Sequence, residues 1–141
     1  MPAFDKFIQS IKADGNDGKH FEVFAKWFLK QDPEWSTQID QIWLWDEWPD
    51  KWGRDCGIDL VFQHKNGETW AVQAKCYDPK YYVTKKDMDT FLSESNRAVI
   101  QKRLLMASTD HIGPNAVRTC DDQEKKVTRF MLKDFEGAAV E

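Results

Sequence analysis

The sequence has few cysteines, and the three it has suggest no pairing. Cys56, Cys76 and Cys120 are widely spaced, with no Cys-x-x-Cys between them, which excludes a disulfide framework as the basis of the fold. His20, His64 and His111 do not stand at ligand spacing from a cysteine or from one another, so a zinc site is excluded too. No apolar run approaches the ~20 residues of a membrane helix, and the opening MPAFDKFIQSIK lacks the apolar stretch of a signal peptide. The expected location is the cytoplasm, with no membrane partner. There is no Gly-x-x-x-x-Gly-Lys-Ser/Thr, hence no P-loop and no ATP motor in these residues. A basic excess is also missing, since the net charge is −4. A protein that grips duplex DNA unaided usually carries a basic surface, because phosphate neutralisation supplies most of the affinity. Any nucleic acid must therefore meet a local basic cluster or be delivered by another domain.

What is present fits one globular domain over residues 1–141: 41% of residues are hydrophobic and 31% charged, enough for a core at this length. Phe4, Phe7, Ile8 and Ile11 recur at helical spacing and predict a short helix over 2–12. DGNDG, residues 14–18, breaks it. Phe21, Phe24, Ala25, Phe28 and Leu29 then predict an amphipathic helix that stops before Pro33. Five of the seven tryptophans fall between Trp35 and Trp52. A strand over residues 37–43 and a long loop to Asp55 are expected there. The indoles either pin that loop to the core or stack on unpaired bases; the acidic neighbours Asp46, Glu47 and Asp50 favour the first. Thr84, with Asp87 three residues on, predicts a helix cap. RLLMAST predicts a buried strand, GPNAVRTC a helix with Pro114 in its first turn, and VTRFML a last strand. DFEGAAVE is expected to tail off, with residues 136–141 starting a linker. The order α-α-β-β-β-α-β-α-β implies an α/β fold: a mixed central sheet flanked by helices on both faces.

The stretch GIDLVFQHKNGETWAVQAK, residues 57–75, predicts a hairpin with polar groups in its most strand-like part. Gln73 and Lys75 share one face of their strand, because side chains alternate. The face of Asp59 depends on the turn. A two-residue Asn66-Gly67 turn sets Asp59 opposite Ala74 and away from Gln73 and Lys75. A three-residue loop, Lys65-Asn66-Gly67 with Gly67 left-handed, sets it opposite Gln73, and a bulge has the same effect. If the three converge, a carboxylate and an amide oxygen offer hard donors for Mg²⁺. The lysine beside them can stabilise charge developing on a phosphodiester. If they do not, they are solvent-facing residues of a surface hairpin.

GRDCGIDL and WAVQAKCY resemble the Mrr-like branch of the PD-(D/E)xK nuclease superfamily, in which Gly-x-Asp on one strand is followed by Gln-x-Lys on the next. GKHFEVFAKWFL resembles that branch's first core helix, and RLLMASTDHIGPNA its later strand and helix. WLWDEWPDKWGRDCGIDL, with SES and STD, is similar to the N-terminal nuclease modules of helicase-containing restriction proteins, type ISP enzymes among them. The resemblance implies a restriction-endonuclease-like fold and Mg²⁺-dependent (or Mn²⁺-dependent) nicking of double-stranded DNA in defence against foreign DNA. It implies a larger parent chain with helicase or translocase parts and with methyltransferase and target-recognition domains. It assigns Asp59, Gln73 and the Ala74 carbonyl to the metal, Lys75 to charge stabilisation and Glu22 to a supporting catalytic position. Gln73 replaces the acidic residue of the wider superfamily, which lowers the expected metal affinity. Lys85, Lys86, Thr109, Asp110 and His111 are weaker candidates for contacting DNA, as are Arg97, Lys102 and Arg103. The alternative is a catalytically weak module that keeps the fold and docks DNA or protein.

Overall fold

The computed structural model describes residue 6 and residues 17–54 and 57–138. Apart from Lys6, the expected helix over 2–12 lies outside them. The first long helix, α1 (Asp17–Gln31), is followed at once by a short α2 (Pro33–Ser36). Asp32 caps α2, its Oδ2 accepting the Glu34 N–H, with Pro33 at the first helical position, where a missing N–H costs nothing. Strands β1 (Ile39–Leu44), β2 (Leu60–His64) and β3 (Thr69–Lys75) follow, then α3 (Lys85–Glu94), β4 (Lys102–Ala107), α4 (Pro114–Asp122), β5 (Val127–Phe130) and α5 (Leu132–Glu136).

The five strands lie side by side in chain order. β1, β2 and β3 pair antiparallel; β3, β4 and β5 pair parallel. This is the mixed sheet that the sequence predicts. Two apolar layers cover its faces. Phe21, Phe24, Phe28 and Leu29 of α1 pack on Leu60, Phe62, Val72, Leu104 and Met106. Met88, Phe91 and Leu92 of α3, with Ala116 and Cys120 of α4, pack with Val61, Ala71, Leu105 and Ala107. The middle of β4 is buried on both faces, as expected for a strand flanked by parallel neighbours.

The tryptophan-rich segment is pinned by its own rings. Trp45, Trp48 and Trp52 meet pairwise at 5.0–5.8 Å between centroids. The Trp45 indole N–H donates to the Gly53 carbonyl at 2.8 Å and that of Trp52 to Glu94 at 3.0 Å. Arg97 lies over the Trp52 ring, 4.2 Å from its centroid. The core-pinning expectation holds for these three rings, and Arg97 is engaged by one of them.

The expected C-terminal tail is corrected. Residues 132–136 form α5, whose Asp134 Oδ2 accepts the Met131 N–H at 2.8 Å. Phe135 is fully buried, with its ring 4.8–6.0 Å from those of Phe21, Phe24, Phe28 and Phe130. The reason is aromatic surface: a Phe buries enough to fix a helix too short for periodicity to reveal. Phe135→Ala should therefore lower stability by about 3–5 kcal/mol in urea unfolding; a loss below ~1 kcal/mol would return these residues to a tail.

Candidate active site

The hairpin turn decides which polar groups can meet. Gln63 pairs with Thr69 and Leu60 with Val72. The His64 N–H donates to the Glu68 carbonyl at 2.8 Å, and the Gly67 N–H to the His64 carbonyl at 2.9 Å. Three residues, 65–67, therefore form the loop, with Gly67 at φ +93°, the left-handed region glycine adopts without strain. This is the turn that convergence requires.

Asp59 lies one residue before β2, where the ladder gives out. Its N–H donates to the Val72 carbonyl at 2.9 Å and its own carbonyl accepts from Trp45 N–H at 3.0 Å. Its Oδ2 accepts the Ala74 N–H at 2.8 Å. The carboxylate thus stands in for the missing strand at the open edge of β3. Gly57, two residues upstream, has φ +78° and packs so closely on α3 that a Cβ there would lie 3.0 Å from Phe91 N and Thr90 Cγ2. That packing explains why glycine precedes this aspartate.

Gln73 is buried. Its Nε2 donates to the Asp87 carbonyl at 3.2 Å, which fixes the amide's orientation because a carbonyl can only accept. Its Oε1 is buried with no hydrogen-bond partner, and an acceptor left so costs about 1–3 kcal/mol. Lys75 is half-buried and, by alternation, shares the face of Gln73.

From the other layer, α1 brings the Glu22 carboxyl next to that of Asp59. Burial and, after it, the nearby Asp59 carboxyl push Glu22 up to about 8. Asp59 is also raised by burial, against which Lys75, the Ala74 amide and Glu22 pull it down. The closeness of the two carboxyls raises Glu22 and lowers Asp59.

Two adjoining carboxyls and a buried amide oxygen without a donor suit a hard divalent cation. Among the described residues no group of three His, Cys, Asp or Glu side chains could hold a metal. Gln73 and a backbone carbonyl must therefore complete any such set. The Ala74 carbonyl is available to it: N–H and C=O of a strand residue point to the same edge, and the Ala74 N–H already meets Asp59.

The other expected residues divide. Thr109 is corrected: it is fully buried, its hydroxyl reaching the carbonyls of Pro79 and Tyr81 at 3.0 and 2.8 Å, so it braces a loop and cannot meet DNA. Arg103 is corrected for the same reason. It is 1% exposed and donates to the Leu92 and Lys125 carbonyls. Asp110 is exposed and accepts the Lys133 N–H at 2.8 Å, and His111 is exposed against Tyr82. Lys85 pairs with Asp89 at 3.0 Å, and Lys86 is exposed. Sequence reasoning missed a role for Asp87. The cap motif Thr84-x-x-Asp87 located the start of α3, and the Asp87 Oδ2 does accept the Thr84 N–H at 2.8 Å. Only the fold brings the Asp87 carbonyl to Gln73.

Residues 30–141 match a family model, Mrr_cat_2, described as restriction endonuclease. The chain belongs to the Mrr-like restriction endonuclease family. Among solved structures it is similar to the ATP-dependent type ISP restriction-modification enzyme LlaBIII, determined bound to DNA, with 30% identity and a TM-score of 0.83. That match covers 98% of this chain and 9% of the other, so this restriction endonuclease domain spans under a tenth of its relative's length. No curated protein matches. Asp59, Gln73 and Lys75 lie inside the segment matched by the family model, and Glu22 lies before it.

The Glu22–Asp59 pair gives this domain a pH signature. The folded chain holds on Glu22 a proton that the unfolded chain releases above its ordinary value of 4.5, so stability falls as pH rises toward about 8. Without divalent cations the loss across that window should be on the order of 1–2 kcal/mol, after allowance for solvent screening of a half-exposed carboxyl. Glu22→Gln should flatten it. Denaturant unfolding at a series of pH values checks this; a wild-type slope of the opposite sign would refute the raised Glu22 value.

Proposed function

We propose that residues 1–141 form the Mg²⁺-dependent nuclease module, with Mn²⁺ able to substitute, of a longer cytoplasmic restriction chain that nicks double-stranded DNA in defence against foreign DNA. The observation that carries the reading is the unpartnered Gln73 Oε1, one residue from the amide that Asp59 holds. Asp59, Gln73 Oε1 and the Ala74 carbonyl would hold the cation. When bound, it supplies positive charge that polarises a phosphate and makes a nearby water more acidic.

The chain's own groups do the rest. Lys75, two strand residues from Gln73 and so ~7 Å along β3, places an ammonium where charge develops on the phosphate. Removing one such group typically costs 10²–10³-fold in rate. Glu22, next to Asp59 on the α1 side of the site, would help to orient water there. Asp87 holds the Gln73 amide with its oxygen end free. One site cuts one strand, so a double-strand break takes two modules or two visits.

The acidic net charge and the similarity to an ATP-dependent restriction-modification enzyme support delivery of DNA by helicase or translocase parts of the same chain, alongside methyltransferase and target-recognition domains. In supercoiled-plasmid assays with Mg²⁺ or Mn²⁺, the wild type should accumulate nicked circles. Asp59→Ala and Lys75→Ala should each cut at least ~100-fold more slowly. Equal rates in all three would remove the catalytic assignment and leave a docking module of nuclease fold.

A further inference from the structure

The tryptophans considered for base stacking are mostly engaged in the core, yet Tyr81, Tyr82 and His111 are exposed beyond the carboxyl ends of β3 and β4. Tyr77 and Tyr81 stack with centroids 4.5 Å apart. Tyr82 stacks on His111 at 4.5 Å and 26° and remains 57% exposed. The backbone beneath these rings is locked from both sides. The Tyr77 N–H donates to Ser108 Oγ at 2.6 Å, and the Ser108 hydroxyl returns a bond to the Tyr77 carbonyl at 2.7 Å. Thr109 holds the Pro79 and Tyr81 carbonyls, as described above. The Val83 N–H donates to the His111 carbonyl at 3.0 Å, and the Gly113 N–H to the Val83 carbonyl at 2.9 Å. A rigid, exposed aromatic pair loses little conformational freedom when a flat ligand settles on it.

Two lysines beside the rings can meet phosphates, although the acids around them keep their negative charge. The nearby acids are engaged with the protein's own donors: Asp78 accepts the Lys80 N–H, Asp87 the Tyr81 hydroxyl, and Asp110 the Lys133 N–H. Lys80 and Lys86 are exposed and, among the described residues, have no ion-pair partner. The cluster is joined to the candidate active site through Asp87, whose carboxylate takes the Tyr81 hydroxyl at 2.8 Å and whose carbonyl takes Gln73 Nε2 at 3.2 Å.

We propose that Tyr82 and His111 form a stacking platform for an unpaired DNA base beside the scissile phosphate, with Lys80 and Lys86 contacting the phosphates of the same strand. This rests on the reading above that the chain acts on DNA. A base within a duplex has both faces covered, so the occupant is a base from a frayed, gapped or displaced strand.

The test is fluorescence titration of 2-aminopurine oligonucleotides, as single strand, bubble and intact duplex, with the wild-type chain in EDTA so that nothing is cut. The single strand and bubble should bind more tightly than the duplex. Tyr82→Ala should weaken them about tenfold without changing duplex affinity, His111→Ala should act in the same direction, and Tyr82→Trp should keep wild-type affinity. Thermal melts by circular dichroism verify that each variant folds. Wild-type affinity in Tyr82→Ala, equal weakening toward all three DNAs, or no saturable binding by the wild type would each overturn the platform. The nuclease reading fails separately: Tyr82-dependent binding without Asp59-dependent nicking removes that reading alone. Asp59-dependent nicking with Tyr82-independent binding removes the platform alone.

Discussion

β3 runs past the point where β2 begins, and the candidate site depends on that mismatch. Leu60 is the first β2 residue paired with β3, at Val72, while β3 continues to Lys75 beside β4. The Ala74 N–H would otherwise be a buried donor with no strand to meet, a costly arrangement. The Asp59 carboxylate fills the place, and its backbone is fixed on both sides by Val72 and Trp45. A carboxylate held at a sheet edge in this way is rigid and half-buried, and it lies within reach of Glu22 from one helical layer and Lys75 from β3.

The cluster is costly for folding. Two carboxyls lie close together, burial raises both, and the buried amide oxygen of Gln73 has no partner. Lys75 offsets part of this. A protein selected for stability alone would fill such a place with apolar side chains, and departures of this kind concentrate where chemistry is done. The surrounding core is correspondingly ordinary, with aliphatic and aromatic layers on both faces of the sheet and indoles closing one end.

Much of this could be read from sequence because it is written in local pattern. The helical face of Phe21, Phe24, Phe28 and Leu29, the cap at Thr84, the buried run of β4 and the Gln73-x-Lys75 alternation each declare themselves within a few residues. The turn could be narrowed only to two options, because Asn66-Gly67 suits either loop; the pairing of Gln63 with Thr69 decided it. Non-local facts stayed hidden. Arg103 and Thr109 look like surface residues, and only the packing of loops around them shows that they are buried and hydrogen-bonded to carbonyls. α5 is too short to show a period, and its Phe135 is fixed by rings far away in sequence. The link from Gln73 to Asp87 joins a strand to the start of a helix ten residues beyond it, and no spacing rule gives that.

The most direct measurement of the central claim is a crystal of this chain soaked in Mn²⁺ and examined by anomalous scattering. The account predicts a peak within coordination distance of Asp59 and Gln73 Oε1, lost in Asp59→Ala crystals. A Mn²⁺ peak elsewhere, or none at these residues while Gln73 Oε1 hydrogen-bonds an ordinary donor, would contradict it.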